Sequence, residues 1–418
     1  MHPIRNPQYR LLLFTRLAAN LSSGFFEIAI FWWVLETTGS GALIAIVALV
    51  GSLSYIVVAP WGGVLADRYS KKALGSWMYA IDGALTAAAG VLLMLGHLNL
   101  ALALVLLAVT NTATALRGPA LSALLPLILP KESYQQGNAT MGLAVSLAGL
   151  SSFALAGVAT AAFGPGGALL IGAGLILLAA LFLVFLREPQ VAAVKAETKD
   201  DSEASEEAKP AQTGGFREGL RVVWQSPLLL SVVLTVTVLN FIVAPLTVLL
   251  APYADLLTAG AAGFGLLAAA PLVGQLLGLA LMNLIRVTKP LAILIMGTVG
   301  VAVSLFGLAG APTLAFAMAA MALGGFCAAL MNVQLEVIVQ TNVQPALMGR
   351  AYGLLSALSM GAQPGGYAVA GVLMAVWPIR MIFAVMAAPV LVMSLAWLRP
   401  TIRRQLAVKV EATASEIA

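Results

Sequence analysis

The chain has 418 residues, of which 61% are hydrophobic and only 9% are charged, and its mean hydropathy is +0.99. A soluble protein would carry about 25% charged residues, so the composition excludes an ordinary soluble domain and indicates an integral membrane protein. The net charge of +5 could indicate nucleic-acid binding, but its placement argues otherwise. With one cysteine, Cys327, and two histidines, His2 and His97, we expect no intrachain disulfide, metal centre or other cofactor.

A membrane-crossing helix needs about 20 apolar residues to span roughly 30 Å of hydrocarbon. Twelve stretches satisfy this requirement, and the first is too long to be a cleaved signal. The sequence therefore predicts an all-α membrane protein with twelve transmembrane helices, over residues 11–36, 41–66, 73–96, 98–119, 138–163, 166–187, 227–254, 263–285, 290–310, 313–339, 351–375 and 378–398.

The basic residues sort to one side of these spans. If the N-terminus is cytoplasmic and the spans alternate, 21 of the 22 Lys and Arg residues fall inside and only Arg380 falls outside. Cytoplasmic loops of membrane proteins carry such an excess of Lys and Arg. One span more or fewer would move many of these residues to the opposite side of the membrane. The pattern therefore predicts cytoplasmic N- and C-termini. Membrane topology therefore explains the net positive charge, and no nucleic-acid partner is expected.

The first span carries a polar stripe. Its members recur at steps of three or four residues and share one face of a helix with about 3.6 residues per turn; they are Arg16, Asn20, Ser23, Glu27 and Phe31. Charges inside a membrane are costly and usually face a cavity or a partner. Glu27 is either a buried carboxyl group bonded to a neighbouring helix, or a group that carries a proton or contacts a cation. Desolvation favours the neutral carboxyl, so proton exchange at such a site is possible.

Between the second and third spans, the run from Gly62 to Lys72 reads Gly-Gly-Val-Leu-Ala-Asp-Arg-Tyr-Ser-Lys-Lys. This order resembles the loop between helices 2 and 3 of the major facilitator superfamily of secondary transporters, from which it differs mainly at Ser70, where that family usually has glycine. An ordinary basic cytoplasmic loop is the alternative interpretation. The resemblance implies a gating loop whose members here are Gly63, Asp67, Arg68, Lys71 and Lys72.

In that family the loop aspartate is thought to cap the N-terminus of helix 11 and to hold the two halves together on the cytoplasmic side. A carboxylate is favoured there by the helix dipole and the unpaired N–H groups. The resemblance therefore implies that Asp67 meets the helix beginning near Gly349 and Arg350, while Arg68 braces a neighbouring carboxylate.

The third and fourth spans add further charged candidates. Asp82 lies midway along the third span, where such a residue is more often structural. Thr110, Thr114 and Arg117 share a face of the fourth span. Arg117 either snorkels to the membrane interface or, as the resemblance implies, holds a carboxylate or senses its proton.

A composition break divides the chain into two halves of six spans. Residues 188–225 are rich in charge and poor in large apolar side chains, which predicts a solvated linker. A weak internal repeat supports the division, because Gly137, Ala139, Leu143 and Gly149 recur 212 residues later. We expect two pseudo-symmetric six-helix bundles, as in facilitator-type transporters, at 1–187 and 226–398, with a cytoplasmic tail at 399–418.

In the second half, Asn240 and Phe241 lie on the seventh span, while Asn332, Glu336 and Gln340 form a polar stripe on the tenth. Glu336 lies near the predicted inner mouth, where it either serves as a proton site or pairs with a loop cation. We expect a central cavity lined by spans 1, 4, 7 and 10. Its substrate-contacting candidates are Asn20, Phe31, Thr110, Thr114, Asn240, Phe241 and Asn332, and its proton-coupling candidates are Glu27, Asp82, Arg117 and Glu336.

Within the superfamily, the segments 62–72, 116–126 and 340–357 resemble the drug:proton antiporter branch that contains macrolide-efflux proteins and the enterobactin exporter. The resemblance implies a monomeric exporter of amphipathic small molecules in the bacterial cytoplasmic membrane, driven by protons. One departure bears on antiport: many antiporters show Gly-Pro-x-x-Gly-Gly in helix 5, whereas residues 149–157 keep small residues but contain no proline.

Other functions remain as alternatives. Within transporters these are export of a siderophore or another metabolite, followed by a lysolipid flippase. A polytopic membrane enzyme is not expected, because the sequence contains no His-Glu-x-x-His motif, paired catalytic carboxylates or Ser/His arrangement. A channel is not expected either, because a channel needs neither two repeated halves nor a charged turn between spans, and this sequence shows both.

Overall fold

The computed structural model describes residues 3–130, 133–187, 227–284, 289–343 and 348–400. After a short 3-10 turn at Pro3–Arg5, every regular element in these ranges is an α-helix. The helices are α1 Pro7–Thr38, α2 Gly41–Arg68, α3 Lys71–Met94, α4 Leu100–Ile128, α5 Tyr134–Phe185, α6 Pro227–Val243, α7 Leu246–Leu256, α8 Gly260–Leu284, α9 Pro290–Gly310, α10 Leu314–Asn342, α11 Met348–Val376 and α12 Ile379–Ala396.

Ten helical segments of the described chain are long and apolar enough to cross a membrane. One of them, Gln136–Phe185, has 50 residues and would be about 75 Å long if straight, more than twice a bilayer. Gly164 interrupts it with φ 71° and ψ 170°, a backbone region that glycine enters readily, so α5 contains the fifth and sixth spans. Pro245 separates α6 from α7, which together form the seventh span. With α11, these segments make the twelve predicted crossings.

Side-chain caps fix where several helices begin. Asn6, Ser40, Asn99 and Thr313 each accept a hydrogen bond from a backbone N–H in the first turn of the helix that follows. Ser70 caps α3 in the same way, accepting from the backbone N–H of Ala73 at 3.1 Å. Such caps satisfy N–H groups that have no partner within the helix. The serine that departs from the family pattern therefore has a local role.

The helices of each half pack mainly against one another. In the first half, α5 packs against α1 and α3, and α4 packs against α2 and α3. In the second half, α10 packs against α8 and α9, α9 against α12, and α11 against α6. The predicted linker at 188–225 and the tail from residue 401 lie outside the described residues, so the domain boundaries stay predictions.

In the part of the chain that the structure describes, the contacts between the two bundles lie toward one end. We call the end that carries Arg10, Arg68 and Lys289 the basic face, and the opposite end the distal face. Near the distal face, α5 packs on α8 and α2 packs on α11. A Cβ atom on Gly157 of α5 would lie 2.8 Å from the carbonyl oxygen of Ala261 in α8. Small residues thus let the helix backbones approach closely.

Toward the basic face the same helices leave open space. A Cβ atom on Gly149 of α5, or on Gly361 of α11, would have no neighbour within 4 Å. Gly63 of α2 is equally open. Among the described residues, the two bundles therefore contact each other at the distal face and stand apart toward the basic face.

We predict that cysteines at Ala45 and Gly371, in a Cys327→Ala background, form a disulfide across the distal contact. A Cβ atom on Gly371 would lie 3.1 Å from the Cβ of Ala45, close to the roughly 3.5–4.5 Å that a disulfide requires. After cleavage at a protease site placed within 188–225, the two halves should stay joined on a non-reducing gel.

The control pairs Ala45→Cys with Gly361→Cys. Gly361 lies about 15 Å from Gly371 along α11, toward the basic face, and this pair should not cross-link. Free labelling of both cysteines in the Ala45→Cys/Gly371→Cys protein under oxidising conditions would contradict closure of the distal face.

Candidate functional site

The described residues line a cavity with two adjoining lobes. The first, which we call the charged lobe, has a volume of about 450 Å³. It is lined mainly by α1, α2 and α4, with smaller contributions from α3, α5, α7 and α11. Its polar and ionisable lining residues are Ser22, Ser23, Glu27, Ser52, Tyr55, Asp82, Thr86, Thr110, Asn111, Thr114, Arg117, Thr247, Gln363 and Tyr367.

The second lobe, the neutral lobe, has a volume of about 430 Å³ and is lined by α6 to α11. None of its described lining residues is charged. Four of them carry amide side chains, and two methionines contribute flexible apolar surface; these six are Asn240, Gln275, Asn332, Gln363, Met321 and Met331. The expectation of one cavity lined by spans 1, 4, 7 and 10 therefore misses the division into lobes and the parts played by α2 and α11.

An ion pair lies at one wall of the charged lobe. Arg117 of α4 donates to the Asp82 carboxylate at 2.5 Å, and the two side chains are 14% and 7% exposed. The guanidinium carbon also lies 4.6 Å from the centre of the Tyr79 ring, a cation–π arrangement. Arg117 thus turns inward to a carboxylate rather than toward the membrane interface. Sequence reasoning named both charged residues but did not pair them.

Glu27 of α1 is half-buried and lines the charged lobe. Among the described residues it has no hydrogen-bond or ion-pair partner. This carboxyl group faces an open cavity, so a proton or a cationic ligand can reach it. The ionisable groups that share the lobe with it are Tyr55, Asp82, Arg117 and Tyr367.

The remainder of the first-span stripe divides into two parts. Ser23 and Phe31 line the charged lobe together with Glu27. Asn20 is absent from the lining of either lobe and donates to the backbone carbonyl of Arg16. The Arg16 guanidinium lies 3.5 Å from the Ser122 hydroxyl of α4.

On α4, Thr110 and Thr114 both line the charged lobe. Each hydroxyl donates to a carbonyl of its own helix, Thr110 to Leu107 and Thr114 to Thr110. Their oxygen atoms can still accept a hydrogen bond from a ligand.

Two second-half candidates lie outside both lobes. Phe241 is 38% exposed, with its ring against Gly365 of α11. Glu336 is exposed and accepts a hydrogen bond from Gln340, one turn later, at 3.2 Å. Asn240 and Asn332 do line the neutral lobe.

The gating-loop residues lie at the open basic face, away from the lobes. Asp67 and Arg68 are exposed at the end of α2, and Lys71 and Lys72 begin α3. Within the described ranges, Asp67 has no hydrogen-bond or ion-pair partner. The side chain of Arg350 lies outside the described residues. The cap on α11 that the resemblance implies therefore stays a prediction.

Sequence reasoning did not select Gln363 and Tyr367, which line both lobes. Their spacing of four residues on α11 is the same signal that selected residues on spans 1, 4 and 10. The glycines and proline between them obscured the pattern.

Solved structures with the same architecture include transporters. The chain aligns with the nucleoside transporter NupG at a TM-score of 0.70 and 16% identity, covering 94% of this chain and 98% of that one. A bacterial homologue of the iron transporter ferroportin, in an inward-facing state, also gives 0.70 and 16%, covering 96% and 100%. At such identities the likeness shows the fold alone, and it confirms the predicted twelve-helix facilitator fold.

Sequence relatives are named as efflux proteins or as transporters of this superfamily. The chain is 32% identical to macrolide efflux protein A of Streptococcus pyogenes over 115 residues, which span 27% of this chain and 28% of that protein. It is 26% identical to the uncharacterized MFS-type transporter YvqJ of Bacillus subtilis over 87% of this chain and 85% of that one. It is 24% identical to the multidrug efflux pump Tap of Mycolicibacterium fortuitum over 92% and 93%.

The family model described as transmembrane secretion effector matches residues 1–416. The chain belongs to this family of major facilitator transporters.

Proposed function

We propose that the protein exports amphipathic small molecules by alternating access and that a proton moves in the opposite direction. The observation that carries this proposal is the two-lobed cavity, open toward the basic face in the described part of the chain. One lobe contains the Glu27 carboxyl group, which has no partner among the described residues, and none of the described lining residues of the other lobe is charged. The basic face is the predicted cytoplasmic side, so the cavity is placed to load from the cytoplasm. The printed names of macrolide efflux protein A and of Tap support efflux.

The lobes suit a substrate with two unlike parts. Volumes of about 450 and 430 Å³ are in the range of drug-sized pockets, roughly 300–1,000 Å³ each. The methionine and amide lining of the neutral lobe fits an uncharged, largely apolar body. Glu27 in the charged lobe fits a protonated amine, since Asp82 is already neutralised by Arg117. An amphipathic weak base uses both lobes.

Coupling follows if a proton and the substrate cation compete for Glu27. In the conformation open to the basic face, an ionised Glu27 binds the cation. After the bundles rock, a proton from the other side displaces the cation and returns with the carrier. The carrier changes between its two conformations only when Glu27 holds either the substrate cation or a proton. Export of one cation therefore accompanies entry of one proton per Glu27.

We predict that Glu27→Gln lowers pH-gradient-driven transport about tenfold or more, because an amide cannot exchange a proton with the cavity. Exchange of labelled for unlabelled substrate across proteoliposomes needs no proton, so it should continue, but at a higher substrate concentration because the variant also lacks the carboxylate that binds the substrate cation. Substrates for the assay come from a thermal-shift screen of dyes, macrolides, siderophores and lysolipids.

The matched control for Glu27→Gln is Glu36→Gln, an exposed carboxyl group on the same helix whose partner is the indole N–H of Trp32. It should keep parental pH dependence. Parental pH dependence in Glu27→Gln would exclude this residue as the proton site, and Asp82 would be tested next.

Removing one member of the buried ion pair should lower the stability of the folded protein. We predict that Arg117→Met destabilises the protein by about 3–5 kcal/mol, because it leaves the Asp82 carboxylate buried without a partner. The double variant Asp82→Asn/Arg117→Met should lose less stability than Arg117→Met, because no unpaired carboxylate remains buried. Unfolding of purified protein in detergent measures both, and a double variant at least as unstable as Arg117→Met would contradict the pairing.

The gating loop is proposed to act when the basic face closes. Asp67→Asn should slow turnover several-fold, as expected for loss of a charge–dipole interaction of about 0.3–2 kcal/mol, while substrate affinity stays within a few-fold. Asp255→Asn, an exposed carboxyl group at the distal face, is the control. Loss of binding with unchanged turnover would argue against a cap on α11.

A further inference from the structure

Three polar side chains in the wall of the neutral lobe have no hydrogen-bond partner among the described residues. They are Gln275 of α8, Ser304 of α9 and Asn332 of α10, and we call them the polar triad. Gln275 and Asn332 are exposed where they line the lobe. Ser304 is only 5% exposed, so its hydroxyl is largely enclosed by the protein. Buried hydroxyl groups are normally hydrogen-bonded, so a partner from within the lobe is expected.

Close packing of α8 and α9 on α10 fixes the positions of two triad members. Gln275 follows Gly274, where an added Cβ atom would overlap the carbonyl oxygen of Ala322 in α10. The Ser304 hydroxyl lies so close to α10 that a Cβ atom on Gly324 would be 2.5 Å from it. Helices that approach this closely pack through their backbones. The three helices therefore hold the polar groups in a preformed wall.

The triad extends along the lobe. Gln275 and Ser304 both lie beside residues 322–324 of α10, as these packing contacts show. Asn332 lies eight residues after Gly324 on the same helix, which is about 12 Å toward the basic face. A ligand of drug size in the lobe therefore meets polar groups at both ends of this distance.

The chemistry of the triad selects among uncharged ligands. A carboxamide and a hydroxyl each donate and accept hydrogen bonds, so they pair with hydroxyl, ester, ketone and amide groups. A purely hydrocarbon ligand would displace water and leave the triad unpaired, which costs free energy. None of the described lining residues of this lobe is charged, so nothing there compensates an ionic group. Met321 and Met331 supply the apolar part of the wall.

We propose that the polar triad determines substrate specificity by recognising hydroxyl and carbonyl groups on the uncharged part of the substrate. This inference rests on the proposed function and deepens it, because it names the chemistry of the part that enters the neutral lobe. The preferred substrates are then oxygenated weak bases rather than cations with a plain hydrocarbon body. Sites that hydrogen-bond a substrate reject analogues that lack the bonding group.

Two cations of different chemistry test the proposal. Doxorubicin carries a protonated amine and a body with several hydroxyl and carbonyl groups. Tetraphenylphosphonium is a permanent cation without a hydrogen-bonding group. Equilibrium dialysis with the purified full-length protein gives both dissociation constants, and the parent should bind doxorubicin at least as tightly as tetraphenylphosphonium.

Ser304→Ala, Gln275→Met and Asn332→Leu each remove polar atoms and keep most of the side-chain volume. Each should weaken doxorubicin binding about three- to tenfold, the effect of one neutral hydrogen bond. Tetraphenylphosphonium should bind as tightly as before or more tightly, because it pairs with none of these groups. A thermal-shift midpoint near that of the parent verifies folding.

Two controls make the test specific. Ser394→Ala removes a buried hydroxyl on α12 that already donates to the Leu391 carbonyl at 2.6 Å, and Ser394 lines neither lobe. This variant should bind both cations as the parent does. Glu27→Gln should weaken the binding of both cations, because both carry a positive charge.

The outcomes separate this inference from the proposed function. If the triad variants weaken both cations equally or neither cation, or if the parent binds tetraphenylphosphonium but not doxorubicin, the triad does not read oxygen-containing groups. The proposed function then still stands, provided that Glu27→Gln weakens cation binding and lowers pH-driven transport. If the parent binds neither cation, the proposed substrate class fails and the inference fails with it.

Discussion

A charge in the hydrocarbon interior of a bilayer must be neutralised, hydrated or protonated, and the arrangement of polar residues in this protein follows from that requirement. Asp82 and Arg117 neutralise each other on neighbouring helices, with the Tyr79 ring stacked on the guanidinium group. Glu27 has no such partner in the described chain and instead faces the cavity. The same requirement thus accounts for one ion pair that joins α3 to α4 and for one carboxyl group that lies open to the cavity.

The contact between the bundles is correspondingly apolar and local. At the distal face, glycines such as Gly157 and Gly371 bring helix backbones together. Such contacts depend on van der Waals packing, because lipid provides no hydrophobic drive for helix association. A seam of this kind can separate without exposing a charge to lipid.

The two bundles contribute unequally to the cavity. The first supplies the described ionisable lining groups apart from Tyr367, whereas the second supplies most of the amides and the methionines of the neutral lobe. Helix α11 crosses this division, because it packs on α6 within its own bundle and on α2 of the other. A residue on α11 such as Tyr367 therefore lines the charged lobe together with Glu27 although it belongs to the second bundle.

Much of the fold could be predicted from the sequence, because crossing a bilayer imposes a length and an apolarity that each span must satisfy by itself. The twelve spans and the stripe containing Glu27 are local properties of this kind. The pairing of Asp82 with Arg117, the position of Phe241 and Glu336 outside the lobes, and the presence of Tyr367 in the same lobe as Glu27 depend on how helices distant in sequence rotate and pack. A helical period determines which residues share a face, but only the tertiary structure determines what that face meets.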